Sequence, residues 1–350
     1  MRKLIVLFLL TLFLLSCTNR SEDTYKPDIG KTDPRKPRAW GHKQTIYVFA
    51  DDNVWKYAKQ HLEDSLERYV FTNRNEKYFT LQRAPYEKIE QFHKFNNLIF
   101  FCDMQSNKPV SVFVKDKMGS QVEKDIQENS VGMYPIENLW ANDQYVLFLV
   151  GNNEENLLKF NILQSNKIFE LFQEKLYDRI ARQIYNSKVY PESEFREFPW
   201  HLKIPINYVL YKKDLQNNFI SYLGRSLNRS DRYVSVYYEK MPADSLNRKW
   251  IRKKRAELAW EYYDEDKFSK DTTQMSLYKL GNHKGWKLWG RWQNEKHMVG
   301  GAFQTFAFYH EPSKTAYLID NSVYYPEGEK LKELIELEVI SRTIKIKNNN

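Results

Sequence analysis

The chain has 350 residues, a formal charge of +9, 42% hydrophobic residues and 15% aromatic residues. This composition is typical of a folded protein and excludes a wholly disordered chain. The positive charge is spread along the sequence and accompanies no nucleic-acid-binding motif, so we expect no nucleic-acid partner.

Three features follow one another at the amino end. Arg2 and Lys3 are positively charged, and residues 4–15 form a nearly unbroken apolar run. The run is shorter than the roughly 20 residues that a membrane-spanning helix needs. It ends at Ser16 and Cys17, a small residue followed by a cysteine. This order predicts a lipoprotein signal peptide over residues 1–16, with acylation of Cys17 as the membrane anchor; an ordinary cleaved signal peptide is the alternative.

The remaining chain is expected to form a tether and two domains. Residues 17–40 contain almost no large apolar residue, which predicts a lipidated flexible tether. Helical periodicity fails between residues 187 and 199, where prolines occur. We therefore predict an amino-terminal domain over 41–190 and a carboxy-terminal domain over 198–347.

The folded part begins with a β-rich run over residues 44–50, followed by apolar residues at helical spacing over 54–66. Asp51 and Asp52 lie between the two. Aspartate at the start of a helix is typical of a cap, and we prefer that interpretation to a metal or acid/base site because no partner ligand is nearby.

Further strands are predicted over residues 97–102, 110–114 and 144–150, and a long amphipathic helix over 168–184. Cys102 lies in the first of these strands. We interpret it as a small buried apolar residue, with a reactive thiolate as the alternative. If Cys17 is acylated, Cys102 has no partner for an intramolecular disulfide.

The second half starts with strand-like segments over residues 204–211, 219–223 and 233–238, followed by a helix over 246–263. This helix carries a basic run between Arg248 and Arg255. The run indicates a solvated face, and a docking surface for anionic lipid headgroups or acidic glycans is the alternative.

An aromatic strand over residues 286–292 is the densest feature. Because successive side chains of a strand point to opposite faces, Lys287, Trp289 and Arg291 lie on one face and the other tryptophans lie on the opposite face. Trp289 and Arg291 are therefore a candidate binding surface, either open as a stacking platform or covered by a helix. We expect the covered arrangement, because central strands are usually buried on both faces.

Two histidines and one aspartate follow the aromatic strand. His297, His310 and Asp320 could meet in a metal or acid/base cluster if their strands converge, and His297 and Asp320 are added to the candidate binding surface. The sequence contains no nucleophile elbow, no phosphate-binding glycine loop and no zinc-protease motif. We therefore assign no catalytic residue, cofactor or metal.

Several segments resemble one known family. They are residues 46–51 with Trp55, 96–99, 198–205, 288–292, 298–303, 317–320, 321–326 and 340–343. In this order the chain resembles the uncharacterised envelope lipoproteins of Bacteroidetes known as domain of unknown function 4837, over most of its mature length. The resemblance implies a lipid-anchored envelope protein, and it implies no activity.

The elements together predict an α+β protein. We expect two α/β sandwich-like domains, each a mainly antiparallel sheet covered by helices, with the second similar to a PsbP-like fold. The expected function is a non-catalytic binding or assembly component of the cell envelope, at the outer membrane, with an envelope protein or glycan as partner. An envelope hydrolase acting on glycan or peptide is the alternative.

Overall fold

The computed structural model describes residues 32–72, 74–225 and 230–347. Helices and strands occur in both halves, so the α+β prediction is confirmed. Cys17 and the predicted signal peptide over residues 1–16 lie outside the described residues. Within the described residues, no helix is both long enough and apolar enough to cross a membrane.

The first half contains a five-stranded sheet with the order β4-β1-β5-β7-β6. Its strands are β1 (Thr45–Phe49), β4 (Thr80–Arg83), β5 (Asn97–Asp103), β6 (Val131–Glu137) and β7 (Tyr145–Gly151). The pairs β1–β4, β1–β5 and β5–β7 are parallel, and β6–β7 is antiparallel. The expected antiparallel arrangement is therefore wrong for this sheet, because helical crossovers between its strands leave neighbouring strands parallel.

Helices cover both faces of this first sheet. They are α1 (Asp52–Leu66), α2 (Ile89–Phe92), α3 (Pro109–Asn129) and α4 (Glu154–Ile184). The buried residues of α1 and α4 belong to one apolar cluster, and those of α3 belong to another on the opposite face. All seven residues of β5 and of β7 are buried, as expected for strands covered on both sides.

The strand predicted over residues 110–114 is wrong, because this segment is the first turn and a half of α3. Pro109 occupies the start of the helix, where its missing N–H costs nothing. Val110 and Val114 are buried four residues apart, on one face of the helix. A run of β-branched residues indicated a strand, but packing of these two valines onto the sheet favours the helix.

The second half contains a seven-stranded antiparallel sheet with the order β12-β13-β14-β15-β11-β10-β9. Its strands are β9 (Tyr208–Asp214), β10 (Phe219–Gly224), β11 (Asp231–Lys240), β12 (Thr273–Leu280), β13 (His283–Asn294), β14 (Val299–His310) and β15 (Thr315–Tyr324). The described part of this half has two α-helices, α5 (Arg248–Tyr262) and α6 (Leu331–Ser341).

The helices of the second half lie on opposite faces of its sheet. Ile251 of α5 packs with Leu288 and Trp292. On the other face, Gln304 donates a hydrogen bond to the carbonyl of Leu334 in α6 at 2.6 Å. Alternate residues of a strand point to opposite faces, so α5 and α6 lie on opposite sides of the two sets of side chains along β13.

The two halves share one apolar cluster, which contains residues of α1 and α4 as well as residues of α6 and the second sheet. Tyr177 of α4 donates a hydrogen bond to the buried carboxylate of Glu338 in α6 at 2.7 Å. Arg342 pairs with Glu174 at 2.9 Å nearby.

Two short strands, β8 (Trp200–His201) and β16 (Lys345–Ile346), pair with each other. Two more, β2 (Tyr69–Phe71) and β3 (Asn75–Lys77), form a separate hairpin.

Candidate functional site

A cavity of about 250 Å³ lies where the β2–β3 hairpin, α4, α6 and the edge of the second sheet meet. Its lining is mostly apolar and aromatic, with a few polar groups, as is usual for small-molecule sites. The lining residues are Arg68, Tyr69, Val70, Phe71, Tyr78, Phe169, Gln274, Ser276, Tyr278, Lys287, Trp289, Phe303, Gln304, Leu331, Leu334, Ile335 and Glu338.

The hairpin is fixed to the second half by one buried carboxylate. Glu76 of β3 accepts hydrogen bonds from the backbone N–H groups of Lys330 and Leu331, at 3.0 Å and 2.7 Å. These N–H groups lie at the start of α6, where a helix has no partners of its own and a negative charge is favourable. Thr72 also donates a hydrogen bond to Glu76. This cap holds one wall of the cavity in place.

Trp289 and Arg291 lie on the cavity side of β13. Trp289 is partly buried, pairs with Gln274 on β12 and Gln304 on β14, and lines the cavity. The guanidinium of Arg291 lies over the ring of Phe71 at 4.5 Å. The expectation of a covered face is met only in part, since the hairpin and α6 approach this face but leave a cavity beside Trp289.

A buried ionic network forms the back of the cavity. Glu338 is 2% exposed and accepts hydrogen bonds from Lys287 at 2.8 Å, from Tyr177 and from Tyr278. Desolvation opposes the charge on Glu338, but Lys287 and these hydrogen bonds outweigh it and lower the pKa of the carboxyl. The carboxylate is therefore already engaged and presents little free negative charge to the cavity.

Two further cations are not balanced in this way, Arg68 in the cavity lining and Arg291 beside it. Arg68 lies over the ring of Phe169 at 4.0 Å and donates a hydrogen bond to Asn166 at 2.6 Å. Partial burial lowers the pKa of the Arg68 guanidinium, and Glu170 opposes this shift only in part. Among the described residues, no carboxylate lies within 4 Å of the charged nitrogens of Arg68 or Arg291. The positive charge around the cavity thus exceeds the negative charge.

Asp320 and His297 do not belong to this cavity. Asp320 is buried on the opposite face of the sheet, where it pairs with Arg255 of α5 at 3.3 Å and accepts a hydrogen bond from Thr305. His297 is exposed in the turn between β13 and β14, with Nε2 3.7 Å from a carboxylate oxygen of Asp264. The four predicted surface residues therefore divide among one cavity face, the opposite face and a turn.

The histidine and aspartate cluster is not assembled either. His310 lies five residues beyond Thr305 on β14, a distance of about 17 Å along the strand, whereas Asp320 pairs with Thr305 directly. His310 instead bonds Ser313 at 2.8 Å. Within the described parts of the chain, no group of three or more histidine, cysteine, aspartate or glutamate residues could hold a metal ion.

Asp51 and Cys102 have structural positions in the first half. Asp51 is buried and accepts hydrogen bonds from the N–H groups of Val110 and Ser111, at 3.1 Å and 3.2 Å, and from the Ser111 hydroxyl at 2.8 Å. It therefore caps α3, and not the adjacent α1 as its sequence position indicated. Cys102 is buried in an apolar cluster, and burial raises the pKa of its thiol to about 12, which keeps it protonated.

The basic run of α5 is only partly a solvated face. Arg255 is 1% exposed and lies over the ring of Phe303 at 4.0 Å. Arg248 lies over the ring of Trp286 at 4.8 Å, and Lys254 lies within 3.5 Å of Glu239. Since these cations contact the sheet or nearby carboxylates, few of them remain available for an anionic surface.

Sequence reasoning missed most residues of the cavity. Arg68, Phe71 and Glu338 carried no motif, and their helical or strand periodicity indicated only structural roles. The sequence did contain one sign of the cavity. Side chains alternate between the two faces of a strand, and this alternation placed Lys287 on the same face of β13 as Trp289 and Arg291. It could identify that face, but not the hairpin that lies opposite it.

Two family models match the chain. Residues 39–185 match a family described as Domain of unknown function (DUF8532), and residues 192–343 match one described as Domain of unknown function (DUF4837). The predicted resemblance to the second family is thus supported for the second half. It does not extend over the first half, where residues 46–55 and 96–99 fall within the other match. No curated protein matches the chain.

Several solved structures share limited similarity with the chain. A protein from Bacteroides thetaiotaomicron VPI-5482 is 13% identical over 43% of this chain and 46% of its own length, with a TM-score of 0.28. LpqN, described as involved in cell envelope biogenesis of Mycobacterium tuberculosis, is 13% identical over 42% of this chain and 83% of its own, with a TM-score of 0.26. A point mutant of the protein Mog1 is 10% identical over 43% of this chain and 92% of its own, with a TM-score of 0.28. The chain thus spans about half the length of the Bacteroides protein.

Proposed function

We propose that this protein is a lipid-anchored binding component of the cell envelope, and that it binds a small anionic amphiphile in the cavity between its two halves. Anchoring at the outer membrane through Cys17 rests on the order of charged residues, apolar run and cysteine at the amino end. Ligand binding rests on one observation, an apolar cavity bordered by unbalanced cations.

The lining indicates the ligand class. Leu331, Leu334 and Ile335 of α6 offer an aliphatic wall, and Trp289 offers an aromatic surface on the other side. An apolar group placed here would be removed from water, which contributes about 25 cal/mol per Å² of buried apolar surface. The ligand therefore needs an apolar body.

The charges indicate the ligand's polar end. Glu338 is occupied by Lys287 and two tyrosines, so it offers little to a cationic group. Arg68 lines the cavity and Arg291 lies beside it over Phe71, both without carboxylate partners among the described residues. Nε and one Nη of Arg68 already donate to Ser65 and Asn166, so Arg68 offers mainly its positive charge. An acidic headgroup is the complementary partner.

The volume limits the size of the ligand. At about 250 Å³ the cavity is slightly below the range of about 300–1,000 Å³ that is common for small-molecule sites. A short acyl or aromatic acid fits this description better than a long oligosaccharide or a folded protein segment. Octanoate is therefore a suitable probe for binding.

The test compares three probes of one chain length, octanoate, octanol and octylammonium. Their binding to the purified protein is measured by calorimetry, and the blank is a titration of the same detergent or lipid without the protein. We expect octanoate to bind most tightly. Trp289→Ala should weaken octanoate binding at least tenfold, because about 1.5–3 kcal/mol of aromatic contact is lost. Arg291→Gln should remove the preference for octanoate over octanol.

Trp286→Ala is the matched control, since Trp286 lies on the same strand, is also partly buried and faces α5 instead of the cavity. It should leave octanoate binding within about twofold of wild type. Equal binding of octanoate by the Trp289→Ala and wild-type proteins, or equal losses in both tryptophan variants, would contradict the proposed site.

A further inference from the structure

A second pocket, of about 140 Å³, opens on the opposite face of the second sheet, near the end of α5. It combines several aromatic rings with three carboxylates. The lining residues are Tyr211, Asp231, Tyr233, Tyr263, Asp264, Asp266, Trp292, Asn294, His297, Val299, Ser322 and Tyr324. This pocket is separate from the cavity beside Trp289, because the sheet lies between the two.

The aromatic rings are packed against one another as a wall. The ring of Tyr233 lies 5.1 Å from that of Tyr211 and 5.6 Å from that of Tyr263, both edge to face. Trp292 packs closely on Gly301, where an added Cβ would lie 2.8 Å from the indole ring. Only glycine at position 301 allows the indole to occupy this position. The wall is therefore built by side chains from three strands and from Tyr263, which directly follows α5.

One polar atom of this wall has no partner. Trp292 is 7% exposed, and its indole Nε1 makes no hydrogen bond to any described residue. A buried indole N–H usually finds a partner, and leaving it unpaired costs about 1–3 kcal/mol. An oxygen atom of a ligand in the pocket would satisfy it.

The carboxylates differ in how well they are balanced. Asp231 is paired with Arg225, which donates to it at 2.7 Å, and exposed Asp264 lies 3.7 Å from His297. Asp266 is buried, and Asn294 donates to one of its oxygens at 2.8 Å. Within the described part of the chain it has no ion pair of its own.

The environment of Asp266 is unfavourable for its charge. Desolvation raises the pKa of this carboxyl to about 6, although the Asn294 hydrogen bond and the more distant Arg255 act in the opposite direction. The guanidinium of Arg255 is paired with Asp320, which limits its effect on Asp266. A cation inside the pocket would stabilise the ionised form of Asp266.

From this geometry we propose that the pocket binds an alkylammonium group, such as the side chain of a lysine in a peptide, with Asp266 as its counter-ion. The rings of Tyr233, Tyr263 and Trp292 line the pocket, and aromatic rings attract a cation that lies over their faces. The proposal also assigns a carbonyl oxygen of the same ligand to the unpaired N–H of Trp292, which is a lining residue. This site is independent of the anionic ligand proposed for the other cavity.

The test titrates the full-length protein with Nα-acetyl-lysine amide at pH 7.5, followed by NMR. Nα-acetyl-norleucine amide is the matched probe, because it keeps the alkyl chain and backbone carbonyls but lacks the ammonium group. We expect saturable binding of the lysine probe and at least tenfold weaker binding of the norleucine probe. Equal binding of the two probes, or no binding of the lysine probe, would overturn the proposal.

Asp266→Asn removes the charge and keeps an oxygen for the Asn294 hydrogen bond. It should weaken binding of the lysine probe at least tenfold, whereas Asp244→Asn should have no effect. Asp244 is exposed and follows β11 at the end farthest from the pocket, so it controls for the change in net charge. A melting temperature at or above that of wild type would show that the Asp266→Asn protein is folded. Unchanged binding in this folded variant would overturn the assignment of Asp266.

Discussion

Glu338 is the side chain whose removal most directly tests how the two halves are held together. Its buried carboxylate accepts hydrogen bonds from Tyr177 of the first half and from Tyr278 and Lys287 of the second. Glu338→Gln keeps the shape but turns an N–H₂ group toward these donors and leaves Lys287 without its counter-charge. Breaking one partner of a buried ion pair costs about 3–5 kcal/mol.

The lower part of that range applies here, because the Lys287 side chain is 20% exposed and can reach water through the cavity. We therefore expect Glu338→Gln to lower the free energy of unfolding by about 3 kcal/mol at pH 7, a large share of a typical total of about 5–15 kcal/mol. Urea denaturation measures this loss. Glu327→Gln is the matched control, since Glu327 is exposed, and it should change stability by less than about 0.5 kcal/mol.

The pH dependence and a double variant sharpen this test. The pKa of Glu338 is lowered in the folded protein, so its stabilising contribution is present above the pKa of the unfolded chain and is lost as the pH falls through the folded value. The difference between wild type and Glu338→Gln should therefore shrink in acid. Adding Lys287→Met should recover part of the loss, because no unpaired charge then remains. A Glu338→Gln protein as stable as wild type would refute this reasoning.

Three further predictions concern single positions. Asp51→Ala should destabilise the protein by about 2–4 kcal/mol in urea denaturation, because it uncaps α3, whereas the exposed Asp52→Ala should be nearly neutral; equal effects would contradict the cap. Asp266→Asn should stabilise the protein at pH 7 by up to about 3 kcal/mol. The pKa of Asp266 is about 6 in the folded protein and lower in the unfolded chain, so the stability gained by Asp266→Asn should disappear below about pH 4. A gain in stability that does not depend on pH would contradict the raised pKa. Cys17→Ala should abolish incorporation of a fatty-acid label, and retained label would refute the lipoprotein prediction.

The local elements with strong periodicity could be predicted from the sequence. The strands predicted from apolar runs, β5 and β7, and the helix predicted from an amphipathic pattern, α4, are confirmed. A strand that is buried on both faces has a continuous apolar run, and a helix that is buried on one face has apolar residues every three or four positions. The aromatic strand β13 is confirmed for the same reason. These elements together explain why the α+β class was correct.

The arrangement of the strands could be predicted only in part. In the second half, consecutive strands are joined mainly by short turns, and the expected antiparallel sheet is observed. In the first half, helices separate β1, β4, β5 and β7, and these crossovers make the sheet mainly parallel. That alternation of strands and helices was visible in the sequence, but the helix at residues 109–129 was obscured by its β-branched start.

The cavity could not be predicted because its walls come from distant segments. Arg68 and Phe71 precede Trp289 by more than 200 positions, and Glu338 follows it by about 50. Alternation in β13 places Trp289 on one face, but what covers that face depends on how the hairpin and α6 dock. The Glu76 cap that fixes this docking joins residues 254 and 255 positions apart.

The central claim is that a small acidic amphiphile occupies the cavity beside Trp289. The most direct measurement is photocrosslinking of the full-length protein with an octanoate analogue that carries a diazirine, followed by mass spectrometry of its peptides. The claim predicts that excess octanoate removes the label and that the labelled residues are those of the cavity lining, within 68–78, 274–289, 303–304 and 331–338 or at Phe169. Labelling concentrated elsewhere, or labelling that excess octanoate does not reduce, would contradict it.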